Sequence, residues 1–144
     1  MGKINWTRVL IGGLIAGVVL NVVFFAAWGP LVGRSLRAAL LALGHPMQET
    51  VGAAALFVVL GFLMGILAIW LYAAIRPRYG AGPGTAVLAG VAAGLMMAVV
   101  PDIGWGLTLR LIPARVWVGD SVIFLPAGVI ATLLGAWVYK EQAP

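Results

Sequence analysis

The chain has 144 residues, 63% of them apolar and 9% charged, with a mean hydropathy of +1.11. Side chains in that proportion cannot cover a water-soluble globule of this size, so lipid must solvate most of the surface. The absence of cysteine removes disulfides, thiolate metal sites, iron–sulfur clusters, c-type haem attachment and thiol nucleophiles together. The net charge of +5 comes from Lys and Arg scattered beside apolar stretches, a pattern of topology and headgroup contact rather than of nucleic-acid binding.

About 20 apolar residues cross a ~30 Å hydrocarbon core, and four stretches of roughly that length are present. The first runs from about residue 9 to 28 and is expected to end at Gly29-Pro30, because proline cannot continue a helical hydrogen-bond ladder. Lys3 and Arg8 ahead of it give a signal-like shape, but its length and the lack of an A-x-A site mark an uncleaved helix. In GRSLRAALLALGHP, which follows, Leu36, Leu40 and Leu43 recur at helical spacing while Arg34 and Arg37 lie one turn apart. That pattern predicts a short helix lying in the membrane interface.

The second span covers about 51 to 75 and is expected to stop at Arg76-Pro77-Arg78, ahead of the tight loop RPRYGAGPG. The third starts at Thr85 but is apolar only to Val100, about 16 residues or ~24 Å, short of the ~30 Å core. It then meets Pro101-Asp102, and either kinks and continues to about residue 109 or stops inside the leaflet against protein. The kinked continuation is expected. The fourth span covers about 121 to 139 and contains Pro126.

Lys3, Arg8, Arg76, Arg78 and Lys140 fall on the side of the termini, against Arg34, Arg37, Arg110 and Arg115 on the far side. Five against four places both termini in the cytoplasm under the positive-inside rule. Trp6, Trp70, Tyr72, Tyr79, Trp137 and Tyr139 collect at one headgroup level, and Trp28, Trp105 and Trp117 at the other.

The first span aligns with the third with one gap, pairing Thr7 with Thr85, Gly12 with Gly90 and Gly17 with Gly94. The second aligns with the fourth without a gap, pairing Gly61 with Gly128, Trp70 with Trp137 and Tyr72 with Tyr139. A duplication would make two parallel helical hairpins related by an axis along the membrane normal. Gly, Ala and Leu are common enough in membrane helices for chance to produce the same matches. Gly13 with Gly17, Gly61 with Gly65, Gly90 with Gly94, and Ala131 with Gly135 put a small-residue stripe on every span. Such stripes let backbones approach where no hydrophobic force acts between helices, within one chain or between copies.

Asp102 stands out chemically, since a carboxylate at membrane depth is costly and is normally paired or placed beside water. Asn21 lies at similar depth, ~21 Å from Thr7 against ~25 Å from Thr85 to Asp102. Near the same surface come Arg34, Arg37, His45, Glu49, Arg110, Arg115 and Asp120, so one end of the bundle is expected to hold a polar cluster. Asp102 would there salt-bridge Arg110 or Arg115, open on a ligand or ion vestibule, or transfer protons.

His45, the single histidine, precedes Pro46 in a loop and cannot build a metal or haem site alone. Neither Ser35 nor Ser121 has a histidine at triad spacing, and GAGPG lacks the lysine and strand of a phosphate loop. No catalytic, cofactor or metal site is therefore expected. The block WLYAAIRPRYGAGPGTA, with RVLIGGLIAGVVLNV in the first span, resembles a group of uncharacterised four-span bacterial membrane proteins. The resemblance covers most of the chain and is most specific at Arg76-Pro77-Arg78-Tyr79-Gly80, Gly82-Pro83 and Thr85. It implies the architecture and carries over no functional residues.

The expectation is an all-α, four-transmembrane-helix bundle forming one integral domain of the bacterial inner membrane. Its function is expected to be non-enzymatic, as a homo-oligomer or an accessory subunit of a larger membrane complex. The alternative is a small transporter or channel with an outward vestibule around Asp102 and Asn21. Expected partners are the lipid bilayer, a further copy or other membrane subunits, and in the transport reading a small molecule or ion.

Overall fold

The structure is a computed structural model and describes residues 3–141. The chain forms a four-helix membrane bundle. Four helical runs, Trp6–Ala42, Val51–Tyr79, Pro83–Thr108 and Ala114–Trp137, are long and apolar enough to cross a bilayer. They alternate in direction, so residues 3–5, 80–82 and 138–141 share the terminal end, and residues 43–50 and 110–113 share the far end.

Helix α1 (Trp6–Val23) starts where the Asn5 side chain accepts a hydrogen bond from the Arg8 N–H at 3.2 Å, an N-cap for a donor without an intrahelical partner. It does not end at Gly29-Pro30. The run passes through a π-helical stretch, Phe24–Gly33, into α2 (Arg34–Ala42). Pro30 removes one N–H and crowds the preceding turn, but in lipid an interrupted helix would leave carbonyls unsatisfied. A wider local turn carries the backbone past the proline instead. The amphipathic stretch is helical, as its spacing predicts, yet it continues the first span rather than lying apart from it. At ~1.5 Å per residue 37 residues reach about 55 Å, well beyond the ~30 Å hydrocarbon core, so α2 stands at the far surface.

Helix α3 (Val51–Tyr79) is capped by Thr50, whose Oγ1 accepts from the Ala53 N–H at 3.1 Å. It runs through Arg76-Pro77-Arg78 and ends only where Gly80 takes a positive φ of +86°, followed by Gly82 at +147°. Thr85 closes that turn, its Oγ1 donating to the Gly80 carbonyl at 2.8 Å. Helix α4 (Pro83–Gly94) has proline in its first turn, where the missing N–H costs nothing. It hands over to α5 (Val100–Leu109) through a second π stretch, Leu95–Val99, so the third span continues past Pro101. Arg110, with φ +50°, turns the chain out. Helix α6 (Ala114–Trp137) begins seven residues before the expected residue 121, which brings Asp120 and Ser121 into a helix.

Helix α1 packs chiefly on α3 and α4 on α6, with α1 also against α6 and α3 against α4. Glycines set these approaches. A Cβ on Gly12 would lie 2.5 Å from the Gly135 carbonyl oxygen, and one on Gly13 would lie 2.5 Å from the Ile66 Cα. Gly17 faces Phe62, Gly61 faces Asn21, and Gly65 faces the backbones of Gly13 and Gly17. In the other hairpin Gly90 faces Val129 and Gly94 faces Leu125. Two apolar clusters result. The larger, around Val9, Ala16, Ile69, Tyr72, Ala89 and Ala131, fills the terminal half, while Trp28, Val32 and Val116 pack together toward the far end.

Candidate functional site

Between those clusters lies a cavity of about 900 Å³, open at the surface where Phe25, Phe57 and Leu60 are exposed. It reaches from Arg37 and Glu49 at the far end inward to Ala68 and Ala131. Its depth is lined by small residues, among them Gly61, Ala93, Gly94, Ala98 and Gly128, so close backbones there leave space that no large side chain fills. The volume lies in the range of cavities that hold small organic ligands, and like them it has apolar walls with a few polar groups.

Phe24 organises one wall. Its ring stacks on Trp28 with centroids 4.9 Å apart and on Phe57 at 5.1 Å, meets Phe25 edge-on at 5.1 Å, and lies 6.5 Å from Phe124. All five rings line the cavity. They come from the π stretch, from α3 and from α6, so the wall exists only once three spans are assembled.

The polar lining divides between mouth and interior. At the mouth Arg37 and Glu49 form an ion pair at 2.9 Å, both partly exposed, with Gln48 and Thr50 beside them. An exposed pair of this kind contributes at most about 1 kcal/mol and leaves the mouth close to neutral. Inside, Asn21 Nδ2 donates to the Gly17 carbonyl at 2.9 Å and to the Val58 carbonyl at 3.2 Å, which ties α1 to α3. Asp120 is the other interior group, and its carboxyl lies beside the Asp102 carboxyl and the Trp28 indole.

Asp102 does not line the cavity. It stands behind Asp120 and accepts a hydrogen bond from Ser121 Oγ at 2.8 Å, joining α5 to α6. The expected salt bridge to Arg110 or Arg115 is not formed. Among the described residues the ion pairs are Arg37 with Glu49 and Arg76 with Glu141. Arg110 and Arg115 are exposed around the turn into α6, where a charge stays hydrated without the cost of desolvated pairing. Arg34 and His45 are exposed there as well. The single polar cluster expected from sequence is thus two places, a mouth with Arg37 and Glu49 and an interior with Asn21 and Asp120.

Asp120 and Trp28 carry more of the site than the sequence reading assigned them. A fourth helix expected from about residue 121 excludes Asp120, and in sequence Trp28 signals only an interfacial aromatic. The adjacent polar pair Asp120-Ser121, one turn and a half inside a helix that begins at Ala114, was the available signal.

At the opposite end Arg76 lies over the Tyr139 ring, 5.4 Å from its centroid, and 3.8 Å from Glu141. Tyr139 meets Tyr72 edge-on at 5.8 Å, and its hydroxyl accepts from the Asn5 N–H at 3.4 Å. This knot fastens the terminal end. No group of three or more His, Cys, Asp or Glu able to hold a metal occurs among the described residues.

Comparison with protein-family models, curated proteins and solved structures finds no match. Function must be argued from the site.

Proposed function

We propose that this chain is a small non-enzymatic protein of the bacterial inner membrane that takes a ligand into its bundle, as a carrier or binding protein with both termini in the cytoplasm. One observation carries the reading, the cavity of about 900 Å³ that runs from Arg37 and Glu49 to Ala68 and Ala131. The space opens to the surface beside Phe25, Phe57 and Leu60, and what favours a ligand over a packing partner is the polar groups Asn21 and Asp120 within it. The hydrogen bond that holds Asp102 to Ser121 supports the same reading, because the carboxylate beside Asp120 is not neutralised by arginine. The homo-oligomer reading drew on the glycine stripes, and Gly13, Gly17, Gly61, Gly65, Gly90, Gly94 and Gly135 all meet partners within the chain.

We also read the two hairpins as parallel repeats, as in membrane carriers built from related halves. Three features support this. The pairing of α1 with α3 matches that of α4 with α6, the first helix of each hairpin hands over to a π stretch, and the aligned residues Tyr72 and Tyr139 meet at one place.

The cavity is tested by single cysteines, which a cysteine-free chain makes unambiguous. Met97→Cys, on the cavity wall, should react with a water-soluble maleimide added from the far side. Met96→Cys, 71% exposed on the outer surface toward lipid, should not. Equal silence at both positions would sink the reading and return the packing subunit to first place.

A further inference from the structure

The cavity leaves a carboxyl group without a basic partner. Arg37 and Glu49 cancel at the mouth, while among the described residues no basic side chain reaches ion-pair distance of Asp120 or of Asp102 behind it. Trp28 lines the same wall, is only 9% exposed, and its buried indole N–H faces Asp120. That N–H can only donate, so the acceptor beside it is the Asp120 carboxyl, which it helps to hold in place on the wall.

We propose that the cavity binds a lipophilic organic cation, an ammonium or phosphonium centre carried on bulky apolar groups, with its charge at Asp120 and its apolar part against the Phe24 wall. This names the ligand class for the cavity-binding reading and rests on it.

Three chemical features select that class. First, the walls are apolar, and a small hydrated ion would lose its water without finding the several oxygen ligands it requires. Second, Phe24 is sandwiched between Trp28 and Phe57, so the outer rings of that stack are the ones that offer a π face, whose negative quadrupole attracts a cation and repels an anion. Third, Asp120 stands next to Asp102, so an anionic head would meet two carboxyl groups and no compensating base. A neutral apolar molecule would satisfy the walls but leave Asp120 unanswered.

The test compares two probes of the same shape and opposite charge, tetraphenylphosphonium and tetraphenylborate, by equilibrium dialysis against the full chain in lipid nanodiscs with empty nanodiscs subtracted. The expected result is saturable binding of tetraphenylphosphonium and none of tetraphenylborate. Asp120→Asn should weaken the cation's affinity by about tenfold or more, as befits loss of a desolvated charge partner, and Asp120→Glu should retain most of it. Met64→Trp and Met97→Trp place an indole in the cavity from α3 and from the α4 to α5 junction, and each should abolish binding. Every variant is accepted only if it elutes and unfolds like the parent.

If tetraphenylborate binds as well as the cation, or Asp120→Asn binds the cation unchanged while the tryptophan variants do not, the cation assignment falls and the cavity reading stands. If the folded tryptophan variants bind the cation as the parent does, the cavity reading falls too. Absence of all saturable binding overturns the cation proposal, and the maleimide result at Met97→Cys then decides the cavity separately.

Discussion

Ser121 Oγ donates to Asp102 Oδ2 at 2.8 Å, and this bond, not an arginine, receives the carboxylate of the third span. It joins α5 to α6 one residue from the carboxyl that lines the cavity. Hydrogen bonds between membrane helices average about 0.6 kcal/mol and reach about 1.7. Ser121→Ala should therefore lower thermal stability in mild detergent by an amount in that range, while Ser121→Thr retains it. Arg110→Ala and Arg115→Ala should leave the melting temperature unchanged; a loss there equal to that of Ser121→Ala would show that an arginine holds Asp102 after all.

Asn21 makes the corresponding tie in the first hairpin. Its amide reaches the Val58 carbonyl at 3.2 Å across the interface, and its side chain fills the space that Gly61 leaves. Asn21→Leu should destabilise more than Asn21→Ala, because a branched side chain cannot take the planar amide's place against Gly61 and overpacking costs about 1 to 3 kcal/mol. Thermal unfolding of the two variants side by side checks the order.

Gly65 and Gly104 are contrasting glycines. A Cβ at Gly65 would run into the backbones of Gly13 and Gly17, and neither can move without separating α1 from α3; at Gly104 nothing lies within 4 Å. Gly65→Ala should cost on the order of 3 kcal/mol or prevent folding, at the upper end for overpacking. Gly104→Ala should be neutral to slightly stabilising, since alanine is the better helix former. Yields of monodisperse protein and melting temperatures distinguish the two.

The proposed orientation, with both termini in the cytoplasm, rests on a small charge bias, and small biases can be inverted. Removing the exposed Arg78 and Lys140 together, as Arg78→Ala with Lys140→Ala, leaves three basic residues on the terminal side against four on the far side. The doubly substituted chain should insert in mixed or inverted orientation. A single reporter cysteine at Gln48, labelled from one side of sealed vesicles, reads the fraction in each state. An unchanged labelling pattern would mean that orientation does not depend on these loop charges.

Several features were legible in the sequence because each depends on local composition alone. Four apolar stretches of bilayer length specify four helices, since lipid offers the backbone no hydrogen bonds and a helix satisfies them internally. The turn at Gly80 and Gly82 was legible for the same kind of reason, as positive φ there suits glycine. Proline does not end the helices at Pro30 or Pro77. The rule that proline breaks a helix assumes water ready to solvate the freed carbonyls, and the π stretch at Phe24–Gly33 supplies the solution lipid requires.

The sequence by itself determined the membrane class, the number of spans, the lack of thiol chemistry and the presence of small residues on every span. Only the tertiary structure decided where those small residues point and which polar groups meet. Gly13, Gly61 and Gly94 look alike in sequence whether they face a neighbour or lipid, and Asp102 could have paired with any of several groups of similar depth. Depth is a one-dimensional quantity that residue counting supplies. The choice of partner depends on helix rotation and on which spans are adjacent, and these come from packing among all four helices at once. That packing placed Asp120 on the cavity wall, with Asp102 behind it on Ser121.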